Sequence, residues 1–84
     1  MTTVVVYTKE GCYLCEHVID TLKKLASERP LDISTKDISE SPEMYERYKY
    51  VIPVIEINGK ITLAGSTLSN HNTLESVLRR ALFP

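Results

Sequence analysis

The sequence predicts an α/β domain of order β-α-β-α-β-β-α, in which three helices flank a four-stranded mixed sheet. Three observations lead to this fold class. An apolar run that suits a buried strand comes first, and a pattern of helical period follows it. An alternating run then predicts a second strand, and an Asn-Gly dipeptide later joins two further β-rich runs. The 84 residues give no sign of a second domain, so we assign 1–84 to one domain.

The first part of the chain has the pattern of a strand, a helix and a second strand. Residues 3–7 include three consecutive valines, which is typical of a strand covered on both faces. From Cys12 to about Ser27 the apolar residues recur at helical spacing, and Pro30 ends the helix. Residues 31–36 alternate between apolar and polar side chains, which predicts a strand near a sheet edge. Strands joined in this way are expected to be parallel.

Cap residues mark two further helices. Ser41 fits the N-cap position and Pro42 the first helical position of a short helix that ends near Tyr48. In the last part of the chain, Asn72 and Glu75 have the spacing of a capping box. They predict the start of a last helix, whose apolar residues follow helical spacing.

The two helices are separated by a predicted β-hairpin. Asn58-Gly59 lies between two β-rich runs, residues 51–57 and 60–64, and this dipeptide is the strongest short-range signal for a hairpin. Pro53 falls within the first run. Because proline cannot donate a backbone hydrogen bond, we expect it at the start of its strand.

The composition excludes several classes of protein. The chain is 43% hydrophobic and 25% charged, as in an ordinary globular domain. Its net charge of -1 gives no basic patch for nucleic acid. With neither a signal-peptide pattern nor a long apolar run, we expect a cytoplasmic monomer with no membrane partner. In a reducing compartment, a cysteine pair is more often catalytic or metal-binding than structural.

Both cysteines lie at the predicted start of the first helix, and their positions are not equivalent. Cys12 is in the first turn, where free N–H groups and the positive end of the helix dipole stabilise an anion. We therefore expect the pKa of its thiol to lie below the free value of about 8.5, and Lys9 can add a positive charge there. Cys15 is one turn further, on the buried face. The spacing predicts that Cys12 attacks a disulfide and Cys15 resolves the mixed disulfide.

The cysteine pair has two other interpretations, as inert thiols or as metal ligands. Two buried thiols at this spacing could be inert core residues. A zinc site needs four ligands, and only Cys12, Cys15, His17 and His71 could supply sulfur or imidazole nitrogen, so we expect no metal. Helix geometry points His17 away from Cys12, which favours a surface histidine over a general base. A C-x-x-C motif beside a β-α-β unit is typical of a thioredoxin-like redox site, and this interpretation is favoured.

The segment around the cysteines resembles a known family. Tyr7-Thr-Lys-Glu-Gly-Cys-Tyr-Leu-Cys15 is similar to the glutaredoxin segment Tyr-Ser-Lys-x-x-Cys-Pro-Tyr-Cys, with identities at Tyr7, Lys9, Cys12 and Cys15. The whole chain resembles the glutaredoxin branch of the thioredoxin superfamily, in particular its short glutaredoxin-like group with a Cys-x-Leu-Cys motif. The resemblance implies a thioredoxin-like (glutaredoxin) fold and a thiol-disulfide oxidoreductase that takes part in electron transport.

The resemblance also implies a substrate site. Cys12 would be the nucleophile and Cys15 the resolving thiol. Pro53 would be cis and would face the cysteines, and the backbone of Ile52 would pair with the substrate as an added strand. The expected substrate-binding residues are Lys9, Tyr13, Ile52, Pro53, Gly65 and Ser66. An alternative function is a redox-silent thioredoxin-fold module that binds proteins at the Pro53 edge.

Two departures from glutaredoxins bear on the partners. Tyr13-Leu14 replaces the usual Pro-Tyr between the cysteines. After the hairpin, Ala64-Gly65 replaces Gly-Gly, and residues 66–70 lack the Asp that pairs with the ammonium of glutathione. We therefore expect no bound cofactor, and glutathione becomes a weaker candidate for the reductant than the family implies. The expected partners are a disulfide-containing protein or small molecule and an electron donor, either a reductase or glutathione.

Overall fold

The computed structural model of the protein describes residues 2–83. The elements, in chain order, are β1 (Thr2–Thr8), α1 (Tyr13–Ala26), β2 (Leu31–Asp37), α2 (Pro42–Tyr48), β3 (Val54–Ile57), β4 (Lys60–Leu63) and α3 (Leu74–Leu82). Two short 3-10 turns, Ile38–Glu40 and Gly65–Leu68, precede α2 and α3. The predicted order of strands and helices is confirmed. Among the described residues, no helix has the length and apolar character needed to cross a bilayer.

The four strands form one mixed sheet of order β2-β1-β3-β4. β1 and β2 are parallel, and Val4 pairs with Ile33. β3 is antiparallel to β1, with Tyr7 opposite Val54, and β4 closes the hairpin. β2 is therefore an edge strand, as its polar face predicts. Asn58 and Gly59 both have positive φ, 50° and 82°, which is the backbone geometry of the predicted hairpin turn.

The main core lies between one face of the sheet and the helices α1 and α3. Side chains alternate along a strand, so Val4 and Val6 of β1 point to this face, and both are fully buried. The helical spacing of apolar residues places a continuous stripe of α1 against them. Its fully buried members are Cys15, Val18, Leu22 and Leu25. α3 contributes Leu74, Leu78 and Leu82 to the same core.

A smaller cluster covers part of the opposite face of the sheet. Tyr7 and Val54, which point to this face, pack with the buried Ile38. α2 lies over them and contributes the half-buried residues Met44, Tyr45 and Tyr48. Because α2 is only 7 residues long, its stability depends on this packing. Ser41 caps it by accepting the Met44 N–H at 3.3 Å, and Pro42 is its first residue, as predicted.

The β-rich run of residues 51–57 is a strand only in its second part. β3 begins at Val54, directly after Pro53, so the proline lies close to its predicted place at the start of the strand. The N–H groups of Val51 and Ile52 donate instead to the carbonyl of Tyr48, at 2.9 and 3.1 Å. These two residues therefore continue the end of α2, and they are not available to the sheet.

The predicted capping box of α3 is wrong. The N-cap residue is Thr73, and its side chain makes no capping hydrogen bond. The Asn72 N–H donates to Asn70 Oδ1 at 3.0 Å. The Glu75 carboxylate accepts from Lys24 Nζ of α1 at 2.8 Å and from Arg79 Nε at 3.0 Å. The Glu75 carboxylate is therefore held by Lys24 of α1 and Arg79 of α3 and does not form the predicted box with Asn72.

Truncation of a core leucine tests the packing of α1 against the sheet. The Leu22→Ala variant is expected to lose about 2–5 kcal/mol of unfolding free energy, because the fully buried side chain leaves a cavity. Urea unfolding followed by circular dichroism measures the loss. Ile61→Ala is the control, since Ile61 is 50% exposed, and it should change the free energy by less than about 1 kcal/mol. Equal stability of the two variants would contradict the assignment of Leu22 to the core.

Candidate functional site

Cys12 caps the start of α1. The chain leaves β1 at Thr8 and turns at Gly11, whose φ of 81° is readily adopted only by glycine. The Cys12 N–H donates to the Lys9 carbonyl at 3.2 Å, which closes this turn. The backbone of Cys12 is extended, and its Sγ accepts the Cys15 N–H at 3.1 Å. The sulfur therefore occupies the place of an N-cap oxygen, at the positive end of the helix dipole.

Cys15 lies one helical turn further along α1, on the face that packs into the core. It is fully buried, whereas Cys12 is half-buried. The two Cα atoms are 5.2 Å apart, within the normal range for a disulfide, and the two Sγ atoms are bonded. The predicted asymmetry in exposure is confirmed. A C-x-x-C pair in disulfide geometry at a helix start fits a redox role.

The Ile52–Pro53 peptide bond is cis, as the resemblance implies. Tyr7 lies opposite Val54 in the antiparallel ladder, so Pro53 lies beside the end of β1, where the chain leaves for Cys12. Pro53 is buried. The sheet register therefore brings the proline and the cysteine loop to the same end of the sheet, the carboxyl end of β1. We call this region the Pro53 edge. The direct contact of Pro53 with the cysteines stays a prediction.

The backbone of Ile52 is already engaged within the protein. Its N–H donates to Tyr48, and its carbonyl lies against Gly65. A Cβ at Gly65 would lie 2.7 Å from the Ile52 oxygen, closer than non-bonded atoms approach. The Gly65 N–H also donates to the Val51 carbonyl at 2.8 Å. A substrate strand that paired with the Ile52 N–H would therefore have to displace the bond to Tyr48.

The remaining predicted contacts are distributed around this edge. Lys9 is exposed, and its Nζ lies 5.3 Å from the centroid of the Tyr45 ring of α2. The same ring has Lys49 Nζ at 5.6 Å. Lys9 is thus placed over an aromatic ring, and its approach to a thiolate stays a prediction. Ser66 is exposed and follows Gly65 in the 3-10 turn.

Large apolar side chains that neighbour the cysteines or Pro53 in the chain are unusually exposed. Tyr13, between the two cysteines, is 89% exposed. Tyr50 and Val51, just before Ile52–Pro53, are 88% and 42% exposed. Tyr50 lies shortly after the end of α2, ahead of the turn into Pro53, and this position in the chain agrees with its exposure.

Tyr7 points away from the cysteines. Its ring packs on Tyr48, with centroids 4.9 Å apart, and its hydroxyl donates to Glu56 Oε2 at 3.0 Å. Burial raises the pKa of Tyr7 above its usual range, and the hydrogen bond to the Glu56 carboxylate adds to this. Tyr7 lines an open depression of about 290 Å³ against α2, on the sheet face opposite α1. Tyr7 therefore packs against α2, although it belongs to the segment that resembles glutaredoxins.

These features define the class of the protein. A four-stranded mixed sheet with three helices, and a C-x-x-C pair at the start of the first helix, form a thioredoxin-like fold. The glutaredoxin-like domain (DUF836) matches residues 3–82, nearly the whole chain. The protein therefore belongs to this glutaredoxin-like family, as the cysteine segment predicts.

Proposed function

We propose that the protein is a thiol-disulfide oxidoreductase in which Cys12 is the nucleophile and Cys15 the resolving thiol. One observation carries the proposal. Cys12 Sγ accepts a backbone N–H at the start of α1 and is half-buried, while Cys15 is fully buried one turn away. The position of Cys12 stabilises a thiolate that a substrate can reach. The burial of Cys15 keeps its thiol from the substrate disulfide, so that it reacts with Cys12 within the protein.

The reaction follows from this difference. The Cys12 thiolate attacks one sulfur of a substrate disulfide, so that a bond between Cys12 and the substrate forms and the second substrate sulfur leaves as a thiolate. Cys15 attacks the Cys12 sulfur, and its proton passes to the departing substrate sulfur. This step forms the Cys12–Cys15 disulfide and releases the remaining half of the substrate as a thiol. The substrate has gained two electrons, and a thiol reductant returns the protein to its dithiol form.

The surroundings of the cysteines favour a protein substrate. Three exposed apolar side chains, Tyr13, Tyr50 and Val51, lie next to the cysteines and Pro53 in the chain. Exposed aromatic residues of this kind are common where polypeptides bind. Residues 66–70 offer hydroxyl and amide groups but no carboxylate to pair with the ammonium of glutathione. We therefore favour a protein reductase over glutathione as the electron donor.

The reactivity of Cys12 tests the proposal. In the reduced protein, we expect iodoacetamide to modify Cys12 with a rate that follows a pKa below about 8.5, because the helix start stabilises the thiolate. Cys15 should remain unmodified in the folded protein, because it is fully buried. The rate is measured against pH by mass spectrometry of the alkylated peptides, with Cys12→Ser protein as the control. A Cys12 that titrates near 8.5 and reacts no faster than free cysteine would favour the redox-silent binding module.

A further inference from the structure

The two edge strands of the sheet differ in how they are protected against pairing with another strand. β4 has only 4 residues, and its pairing with β3 is irregular between Ile55 and Glu56. Short edge strands and bulges are common features that prevent sheets from associating edge to edge. β2 has 7 residues, contains no proline or glycine, and keeps a regular register with β1 along its whole length. β2 therefore lacks the protection that β4 has.

The outer side of β2 can accept a further strand. β2 pairs with β1 on one side only. Within residues 2–83, the backbone of residues 31–36 makes no hydrogen bond other than those of this ladder. Successive residues of a strand direct their N–H and C=O groups to opposite sides, so every second residue of β2 presents an unpaired donor and acceptor outward. The exposed side chains of the strand are those of Asp32, Ser34, Thr35 and Lys36.

Two of these side chains are charged and are placed symmetrically about Ser34. Asp32 and Lys36 are four residues apart, so both lie on the same face of the sheet as Ser34, which is midway between them. Neither charged residue forms an ion pair with another residue in the described part of the chain. Lys36 Nζ lies 5.8 Å from the centroid of the Tyr7 ring, which places it on the α2 face. Reversing the direction of β2 therefore exchanges its negative and its positive position.

We propose that β2 pairs with β2 of a second copy of this chain, antiparallel and centred on Ser34, so that two four-stranded sheets join into one. Asp32 of each copy then lies directly opposite Lys36 of the other, because both residues are two positions from Ser34. Opposite charges directly across an antiparallel pair are favourable, and the two-fold symmetry forms this contact twice. The proposed dimer replaces the monomer that was expected from the sequence.

The same two charges disfavour other pairings of β2 with itself. A parallel pairing in register would place Asp32 opposite Asp32 and Lys36 opposite Lys36, and like charges in this position are destabilising. An antiparallel pairing shifted by two residues would place Ser34 opposite a charged residue and remove both ion pairs. A shift by one residue would oppose side chains that point to different faces of the sheet. The charges are therefore complementary only in the register centred on Ser34.

The proposed interface leaves the cysteine sites free. Cys12 follows the carboxyl end of β1, and β1 is parallel to β2. In an antiparallel dimer the two cysteine sites therefore lie at opposite ends of the joined sheet. The dimer does not depend on the proposed oxidoreductase function. Because one pair of 7-residue strands makes a small interface, we expect weak association that depends on protein concentration.

Sedimentation equilibrium of the reduced protein, from micromolar to millimolar concentration, tests the dimer. Asp32→Lys sets like charges against each other at both contacts, so we expect the dissociation constant to rise about tenfold. Lys36→Asp should have the same effect. The double variant, Asp32→Lys with Lys36→Asp, exchanges the two charges and should associate as tightly as the unmodified protein. It is the matched control, because it carries both substitutions and recovers only if the two positions face each other.

Disulfide cross-linking tests the register. In a Cys12→Ser, Cys15→Ser background, Ser34→Cys should form a covalent dimer on mild oxidation, because opposite Cα atoms in such a pair are about 4.5–5.5 Å apart. Asp32→Cys in the same background is the control, since its two copies would be about 13 Å apart along the strands. Unmodified protein that stays monomeric at millimolar concentration would overturn the proposal. So would association that the single charge variants leave unchanged, a double variant that stays dissociated, or equally fast cross-linking at both positions.

Discussion

The Cys15→Ser variant is expected to accumulate a covalent adduct with its substrate through Cys12, and Cys12→Ser is expected to accumulate none. In the first variant, the nucleophile keeps its place at the start of α1, where its sulfur accepts the Cys15 N–H, and this backbone group survives the substitution. The adduct forms but cannot be resolved, because the second thiol is missing. In the second variant, the remaining thiol is fully buried, so a substrate disulfide cannot reach it.

A protein disulfide of known sequence is the substrate of this experiment, and the adduct is identified by mass spectrometry after non-reducing electrophoresis. We expect disulfide turnover of Cys12→Ser to fall by about 10³-fold or more, as for other nucleophile replacements. The double variant, with both cysteines changed to serine, is the control for adducts with other side chains. Adducts in equal amount on Cys12→Ser and Cys15→Ser, or on neither variant, would contradict the division of roles between the two thiols.

The cysteine pair could be predicted because its geometry depends on neighbours in sequence. The apolar spacing changes from that of a strand to that of a helix at residue 12, which places the Cys12 thiol in the first turn of α1. Cys15 is three residues further along, which places its thiol on the buried face of the same helix. The burial of Cys15 and the N-cap position of Cys12 agree with this prediction. The position of Lys9 over Tyr45 could not be predicted, because the ring comes from α2, far away in the chain.

The differences from the sequence pattern have different physical causes at the start of α3 and before Pro53. Asn72 and Glu75 have capping-box spacing, yet Glu75 accepts from Lys24, which is 51 positions away in the chain. The N–H groups of Val51 and Ile52 could have joined the sheet, but the carbonyl at the end of α2 accepts both. Local patterns therefore predict where elements lie more reliably than where they begin. The turn before Pro53, which shapes the candidate substrate edge, is decided by these local bonds to Tyr48.

Gly65→Ala is expected to disturb this edge more than any other single-methyl substitution near the site. The added Cβ would lie 2.7 Å from the Ile52 oxygen and 2.9 Å from the Val51 oxygen. Both obstacles are backbone atoms, so no side-chain rotation relieves the overlap. Either the 3-10 turn moves outward and loses the 2.8 Å hydrogen bond to Val51, or residues 51–52 shift. Overpacking of this kind costs about 1–3 kcal/mol of unfolding free energy.

Two further substitutions distinguish the steric effect of a Cβ at Gly65 from a general effect of the turn and from backbone strain. Ser66→Ala changes an exposed side chain in the same turn and should alter stability by less than about 0.5 kcal/mol. Gly11→Ala has open space for a Cβ but a φ of 81°, so its cost of about 1–2 kcal/mol would come from the backbone alone. Urea unfolding measures all three variants. Only Gly65→Ala should also move the amide NMR signals of Val51 and Ile52.

The contacts of Gly65 connect its effect on stability to substrate binding. Val51 and Ile52 are held between two contacts, the Tyr48 carbonyl on one side and Gly65 on the other, and together these set the approach to the cis proline. If this edge binds the substrate, Gly65→Ala should raise KM while the alkylation rate of Cys12 stays unchanged, because the substitution leaves the N–H group at the start of α1 in place. A Gly65→Ala protein with wild-type stability and unmoved Val51 and Ile52 signals would mean that the close approach at Gly65 does not shape this edge.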